Sequence, residues 1–133
     1  GGYLNPQTKK EMCQLGVGPM MKEFMGQLEN GKAKAYFYSA HDTTIAPVLC
    51  CLNAYNNRWP KFASNIAFEL FTKKSDESQS FVQVRYNGSP VVLPQCKAPA
   101  DAPASFCPLQ TFKSIAESLI PTDFYSQCKA QPK

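Results

Sequence analysis

The chain has 133 residues, 44% of them hydrophobic, and a formal charge of +4 at neutral pH. This length suits one modest domain or a piece of a larger one, and no segment is long and apolar enough to predict a transmembrane helix. The 14 basic residues are scattered rather than clustered among aromatic residues. That distribution argues against a nucleic-acid-binding surface.

Two helices are predicted before residue 32. Residues 6–15 predict a short polar helix with Pro6 in its first turn. After a break at 16–19, residues 20–28 predict an amphipathic helix that ends at Asn30-Gly31. We interpret the methionines on its apolar face as core packing rather than as a cofactor contact.

The only histidine of the chain, His41, lies between a predicted strand and a predicted helix. The aromatic run 34–40 predicts a buried strand, because aromatic side chains fill a pleated surface well. Residues 43–55 predict a helix capped by Asp42 or by the threonine after it, with Pro47 in its first turn. With the preceding helix, these elements would form an αβα unit, and its strand-to-helix junction is a place where α/β proteins bind anions.

His41 and Asp42 are therefore the candidate site residues. A helix amino terminus attracts anions, and an acid at that position can give a proton to the leaving group of a phosphate ester. Phosphoryl transfer also needs a nucleophile and cationic groups, which a chain with one histidine does not supply. A Cys-His enzyme would have to use Cys50 or Cys51, but both lie inside the predicted helix and are expected to be buried or disulfide-bonded.

The second half of the chain predicts a small sheet. Residues 66–71 and 80–86 predict strands, separated by an exposed polar loop at 73–78. The alternation within 80–86 suits a strand with one polar face. Asn87-Gly88 predicts a type I′ turn, so residues 91–93 should fold back as a hairpin partner.

Six cysteines and a glycosylation sequon, Asn87-Gly88-Ser89, favour an oxidising compartment of the secretory pathway. Neither a CxxC motif nor paired Cys/His spacing occurs, so a zinc site is not expected. Residues 94–108 hold four prolines and two cysteines, which indicates a loop ordered by a crosslink. A last amphipathic helix is predicted over 109–119.

The chain resembles the histidine acid phosphatases, in their prostatic and lysosomal form. The resemblance is carried by an ordered series of motifs across residues 15–128, and not by the His-Asp dipeptide alone. In chain order these are Tyr38-Ser39-Ala40-His41-Asp42-Thr43-Thr44, Phe68-Glu69-Leu70, Phe81-Val82-Gln83-Val84-Arg85-Tyr86-Asn87, Leu93-Pro94-Gln95-Cys96 and Phe106-Cys107-Pro108-Leu109.

The resemblance implies an α/β fold, a central mixed sheet flanked by helices, and hydrolysis of phosphomonoesters through a phosphohistidine. It implies that His41 binds the phosphoryl oxygens and that Asp42 is the general acid, with no metal and no cofactor. The family's nucleophile lies in an amino-terminal Arg-His-Gly motif, which is absent from these residues. We therefore expect residues 1–133 to be the carboxyl-terminal segment of one catalytic domain, inactive by itself.

Within that segment, residues 1–31 are expected to be helical and partly cap-like, and residues 32–133 to form the α/β core. The Gly1-Gly2 start, without an initiator Met, is taken to mean that the gene product begins elsewhere. The implied partners are a phosphomonoester, the amino-terminal part of the same enzyme and a second copy in a homodimer. The resemblance also places the protein outside the cell or in the lysosome, and Asn87 is a candidate glycosylation site.

The resemblance further implies a disulfide between Cys96 and Cys107, and a partner for Cys128 in the missing amino-terminal part. Cys13 either pairs with Cys50 or Cys51, or all three are buried free thiols. The alternative function, from another class, is a non-catalytic secreted module that keeps the fold and binds a partner or an anion.

Overall fold

The computed structural model describes residues 5–129. Three helices precede a small sheet, and two helices follow it, so the α/β class is confirmed. The elements in chain order are α1 (Pro6–Gly16), α2 (Gly18–Asn30), α3 (Asp42–Cys51), β1 (Ile66–Lys73), β2 (Asp76–Tyr86), β3 (Ser89–Val91), β4 (Phe106–Pro108), α4 (Leu109–Ser118) and α5 (Phe124–Cys128).

The sheet is built around β2. Strand β1 pairs along one edge of β2, while β3 and β4 pair with successive parts of its other edge. Every pair is antiparallel, so the described sheet is antiparallel throughout rather than mixed. The predicted type I′ turn is confirmed, because Asn87 and Gly88 have φ angles of 50° and 83°.

The predicted strand at 34–40 is wrong. This segment is exposed coil, and the Phe37 side chain is 94% exposed. A strand needs a neighbour for its backbone N–H and C=O groups, and the segment pairs with no strand among residues 5–129. The αβα unit expected from that strand is therefore not formed there.

The core lies between α2, α4 and one face of the sheet. Phe68 bridges the ring of Phe24 on α2, at a centroid distance of 5.2 Å, and that of Phe112 on α4, at 5.9 Å. Met21 and Phe112 have no exposed surface at all. An ion pair of 3.1 Å between Lys113 and Glu29 joins the same two helices at the surface.

The face of β2 that lies away from the core was predicted to be polar and open to solvent, but other residues cover it. Residues 81–84 are buried without a break, and Gln83 is only 4% exposed. The Ser105 hydroxyl donates a 2.6 Å hydrogen bond to Oε1 of Gln83, which satisfies the buried amide. Ser105 lies in the crosslinked loop, so that loop covers the face that was expected to be polar.

Two disulfides crosslink the chain. One joins Cys13 on α1 to Cys51 at the end of α3, and the other joins Cys96 to Cys107 across the proline-rich loop. The alternative of three buried free thiols is wrong, since Cys13 and Cys51 are bonded and Cys50 is exposed and free. Cys128 is also an exposed free thiol.

No helix among residues 5–129 combines the length and apolar character that crossing a membrane would require. Between residues 5 and 31 the chain forms the helices α1 and α2, and the first four residues of the expected 1–31 region lie outside the described part of the chain.

Candidate functional site

His41 and Asp42 stand at the amino terminus of α3. His41 is the N-cap, with extended backbone angles (φ −125°, ψ 167°), and Asp42 is the first helical residue. The predicted cap, Asp42 or Thr43, is therefore wrong. The His41 carbonyl already accepts the first helical hydrogen bonds, from the N–H groups of Thr44 at 2.9 Å and Ile45 at 3.1 Å.

The start of α3 is held by a contact between the His41 backbone and the Thr44 side chain. The Thr44 hydroxyl accepts a 3.4 Å hydrogen bond from the His41 N–H, at the third helical position. This arrangement resembles half of a capping box and fixes the direction in which the chain enters the helix. Both site residues are exposed, and they lie where the helix dipole favours negative charge.

Helix α3 differs from its prediction at both ends. Because it begins at Asp42, Pro47 is its sixth residue and lies in the second turn rather than the first. The helix ends at Cys51, four residues before the predicted end. Asn53 follows with a left-handed φ of 57°, a conformation that asparagine tolerates and that cannot continue a right-handed helix.

Trp59 contacts the Asp42 side chain. The indole Nε1 donates a hydrogen bond of 2.8 Å to Oδ2 of Asp42, and the Thr43 N–H donates one of 2.7 Å to Oδ1. Both carboxyl oxygens therefore have an N–H donor. No local sequence pattern points to Trp59 as a partner of Asp42, because the two residues are 17 positions apart.

The loop after α3 returns the chain to the start of the helix. A helix of 10 residues is about 15 Å long, and the seven residues 52–58 can extend to about 24 Å, so the return is within reach. The Arg58 N–H donates to the Asn56 side chain at 3.0 Å, which tightens the turn. Pro60, the next residue after Trp59, is buried and anchors the loop.

The coil that leads to His41 is fastened to α2 by tyrosines. The Tyr38 ring packs edge-on against Phe24 at 5.1 Å, and its hydroxyl donates to Glu23 at 3.2 Å. Desolvation, and then the Glu23 carboxylate, raise the pKa of Tyr38 above its ordinary value. The Tyr36 hydroxyl accepts hydrogen bonds from two successive backbone N–H groups, at 2.8 and 3.0 Å.

Within residues 5–129, none of the other candidate residues donates or accepts a hydrogen bond at the side chain of His41 or Asp42. Cys51 is in a disulfide, which removes it as a partner for His41 in Cys-His chemistry. Arg85 pairs with Glu69 on the sheet, and Arg58 belongs to the turn before Trp59. Among residues 5–129 no cluster of three metal-ligating side chains occurs.

The glycosylation candidate has a structural role at the hairpin. Oδ1 of Asn87 accepts a 2.9 Å hydrogen bond from the Asn65 N–H, and Nδ2 donates at 3.2 Å to Ser64. The nitrogen that a glycan would modify is therefore already hydrogen-bonded, although the residue is exposed.

Comparison with known proteins gives a consistent set of matches. Residues 3–87 match the family model of the histidine phosphatase superfamily (branch 2). A probable acid phosphatase of Schizosaccharomyces pombe is 27% identical over 100% of this chain and 39% of its own length. Human lysophosphatidic acid phosphatase type 6 is 28% identical over 95% of this chain and 30% of its own length. Human prostatic acid phosphatase is 29% identical over 90% of this chain and 31% of its own length. The chain thus spans about a third of the length of these relatives.

Proposed function

The chain belongs to the histidine phosphatase superfamily, branch 2, and from that membership we propose that it is the carboxyl-terminal part of an acid phosphatase. Its relatives are phosphatases, and the chain spans 30 to 39% of the length of the three described above. The substrate class is a phosphate monoester, hydrolysed through a phosphohistidine. The segment that bears the Arg-His-Gly nucleophile lies outside this chain.

The observation that carries this proposal is the placement of His41 and Asp42 at the amino terminus of α3. His41 binds the phosphoryl oxygens there, with the positive end of the helix dipole adding to the attraction. Asp42 is exposed, and its carboxyl is held at both oxygens, so it can face a bound ester.

The chemistry divides into two steps. In the first, the nucleophilic histidine forms a nitrogen–phosphorus bond while the ester phosphorus–oxygen bond breaks. The electron pair of the broken bond stays on the alcohol oxygen, which takes the proton of Asp42. In the second, water attacks the phosphohistidine and gives its proton to the Asp42 carboxylate, which releases phosphate and restores both groups.

The coil at 34–40 supports the proposal that another segment completes the domain. It is unpaired within residues 5–129, exposed and aromatic, with Phe37 94% exposed, although such residues are usually found in buried strands. The proposed occupant is the amino-terminal segment of the same enzyme, added beside it as a strand. Within the catalytic domain we propose that residues 1–31 are partly cap-like and that residues 32–133, with the 96–107 loop, belong to the α/β core. Alone, the chain does not turn over substrate.

The two disulfides favour a secretory-pathway location, secreted or lysosomal. The exposed Cys128 thiol is free to pair with a cysteine of the amino-terminal segment, and Asn87 remains the candidate glycosylation site. The homodimer rests on the family resemblance alone.

The test uses the full-length protein that contains this chain. Asp42→Asn should lower kcat/KM for a simple alkyl phosphate by about a hundredfold or more, because its leaving alkoxide needs a proton. The loss should be much smaller for a nitrophenyl phosphate, whose anion leaves unassisted. Asp123→Asn is the control, since Asp123 caps a different helix, α5.

Equal losses for the two esters in Asp42→Asn would contradict the general-acid role. A full-length protein that binds phosphate but hydrolyses neither ester would favour the non-catalytic binding module instead.

A further inference from the structure

We propose that Trp59 is the positioning residue of the general acid Asp42: its indole N–H holds the carboxyl in the orientation that proton transfer requires. The inference rests on the proposed role of Asp42 and adds a residue to it. It follows from the 2.8 Å hydrogen bond between Nε1 of Trp59 and Oδ2 of Asp42.

The carboxyl needs such a partner because its own torsion is loosely defined. The side-chain bond that turns an aspartate carboxyl is broad and nearly two-fold, so packing alone does not set its plane. The Thr43 N–H holds only Oδ1, and it belongs to the adjacent residue. A second donor on Oδ2, brought by a separate loop, fixes the plane.

The choice of tryptophan suits an acid that must keep and release its own proton. The indole nitrogen only donates, so it cannot take the Asp42 proton as a hydroxyl or a second carboxylate could. Each carboxyl oxygen has two lone pairs. The acid can therefore carry its proton on a lone pair that the N–H donors leave free.

Packing does not account for Trp59. The side chain is 59% exposed, although tryptophan is among the most buried residues on average. What holds the loop instead is the buried Pro60 and the turn at Asn56. The indole ring therefore stays at the surface, and its only polar atom, Nε1, is hydrogen-bonded to Asp42.

The kinetic test compares Trp59→Phe with the matched control Phe62→Leu in the full-length protein. Phe62 is a fully exposed aromatic residue in the same loop. Trp59→Phe keeps the ring and removes the donor. It should lower kcat/KM for an alkyl phosphate about tenfold relative to a nitrophenyl phosphate, since small errors in placing a catalytic group are costly. Inhibition by inorganic phosphate should be unchanged, because His41 is untouched.

A double variant separates positioning from a general structural effect. With Asp42 already replaced by asparagine, adding Trp59→Phe should change the alkyl-to-nitrophenyl ratio by less than twofold, because the two residues act as one unit. An equal loss for both esters in Trp59→Phe, or no loss, would overturn the positioning role.

Nuclear magnetic resonance reports the contact without any turnover. The indole N–H resonance of Trp59, identified by its loss in Trp59→Phe, should move in Asp42→Asn and stay in place in Asp123→Asn. An unmoved resonance in Asp42→Asn would overturn the inference; should Trp59→Phe fail to fold, the loss of the resonance in Trp59→Tyr identifies it instead.

The two proposals fail in different ways. If Asp42→Asn shows the leaving-group effect and Trp59→Phe does not, only the positioning role is lost. If Asp42→Asn slows both esters equally, the general-acid role is lost and the positioning role with it.

Discussion

The disulfide between Cys13 and Cys51 should be a major contributor to stability. It joins α1 to the end of α3 and closes a loop of 38 residues. The loss of chain entropy in the unfolded state for a loop of this length corresponds to about 4 kcal/mol at 25 °C. Replacing both cysteines with alanine should therefore lower the free energy of unfolding by about that amount.

The assay is equilibrium unfolding in urea, followed by the fluorescence of Trp59, the only tryptophan of the chain. The Cys96→Ala/Cys107→Ala variant is the matched control. Its bond closes a loop of 11 residues, for which the same relation gives about 3 kcal/mol. Cys50→Ser should change stability by less than about 0.5 kcal/mol, because that thiol is exposed and free.

Two results would refute this reasoning. If Cys50→Ser cost as much as the Cys13/Cys51 double variant, the native bond would be to Cys50 instead. If the loss in the double variant were no larger than that in the Cys96/Cys107 variant, loop length would not govern the effect.

Two further predictions concern a close contact and an acid-sensitive turn. Gly31→Ala should loosen the coil before His41 and cost about 1–3 kcal/mol, because a Cβ would clash with the backbone carbonyl oxygen of Gln27 and lie 2.8 Å from the Tyr36 ring. Faster amide hydrogen exchange at Lys32 would show that the coil has loosened. The control is Gly26→Ala, which should be neutral or stabilising because no atom lies within 4 Å of its Cβ. Asp76→Asn should destabilise the protein near neutral pH and have little effect near pH 2, measured as Tm against pH. The Ser78 hydroxyl and N–H lower the pKa of Asp76, so its contribution is present above about pH 4 and is lost as pH falls through the folded-state value.

A Tm difference between Asp76→Asn and the unaltered protein that persists unchanged to pH 2 would contradict the assigned cause. For Gly31→Ala, unchanged exchange at Lys32 would show that the Gln27 carbonyl and the Tyr36 ring both move aside without loss.

The sequence correctly predicted the elements that depend only on residues close to one another in the chain. The helices α1, α2 and α4 follow from apolar periodicity together with proline and glycine at their ends. The hairpin follows from Asn87-Gly88, since both residues accept the positive φ that a type I′ turn requires. The placement of His41 and Asp42 at the start of a helix was predicted by the same reasoning, although the cap itself is one residue earlier.

Elements whose existence depends on a neighbour were predicted less well. The run 34–40 has the composition of a strand, but composition does not supply a partner, and the described chain leaves it as exposed coil. The polar face of β2 was expected to be open, but the crosslinked loop covers Gln83 with Ser105. Neither outcome depends on the residues of the segment alone.

The sequence by itself determined which residues could carry chemistry and which local elements would form, because turn preferences and periodicity act within a few residues. Only the tertiary structure decided that Cys51 rather than Cys50 bonds to Cys13. Adjacent residues on a helix point about 100° apart, and the packing of α3 selects which one faces α1. It also decided that Trp59 meets Asp42, because the path of a loop over 17 residues depends on where Pro60 is buried.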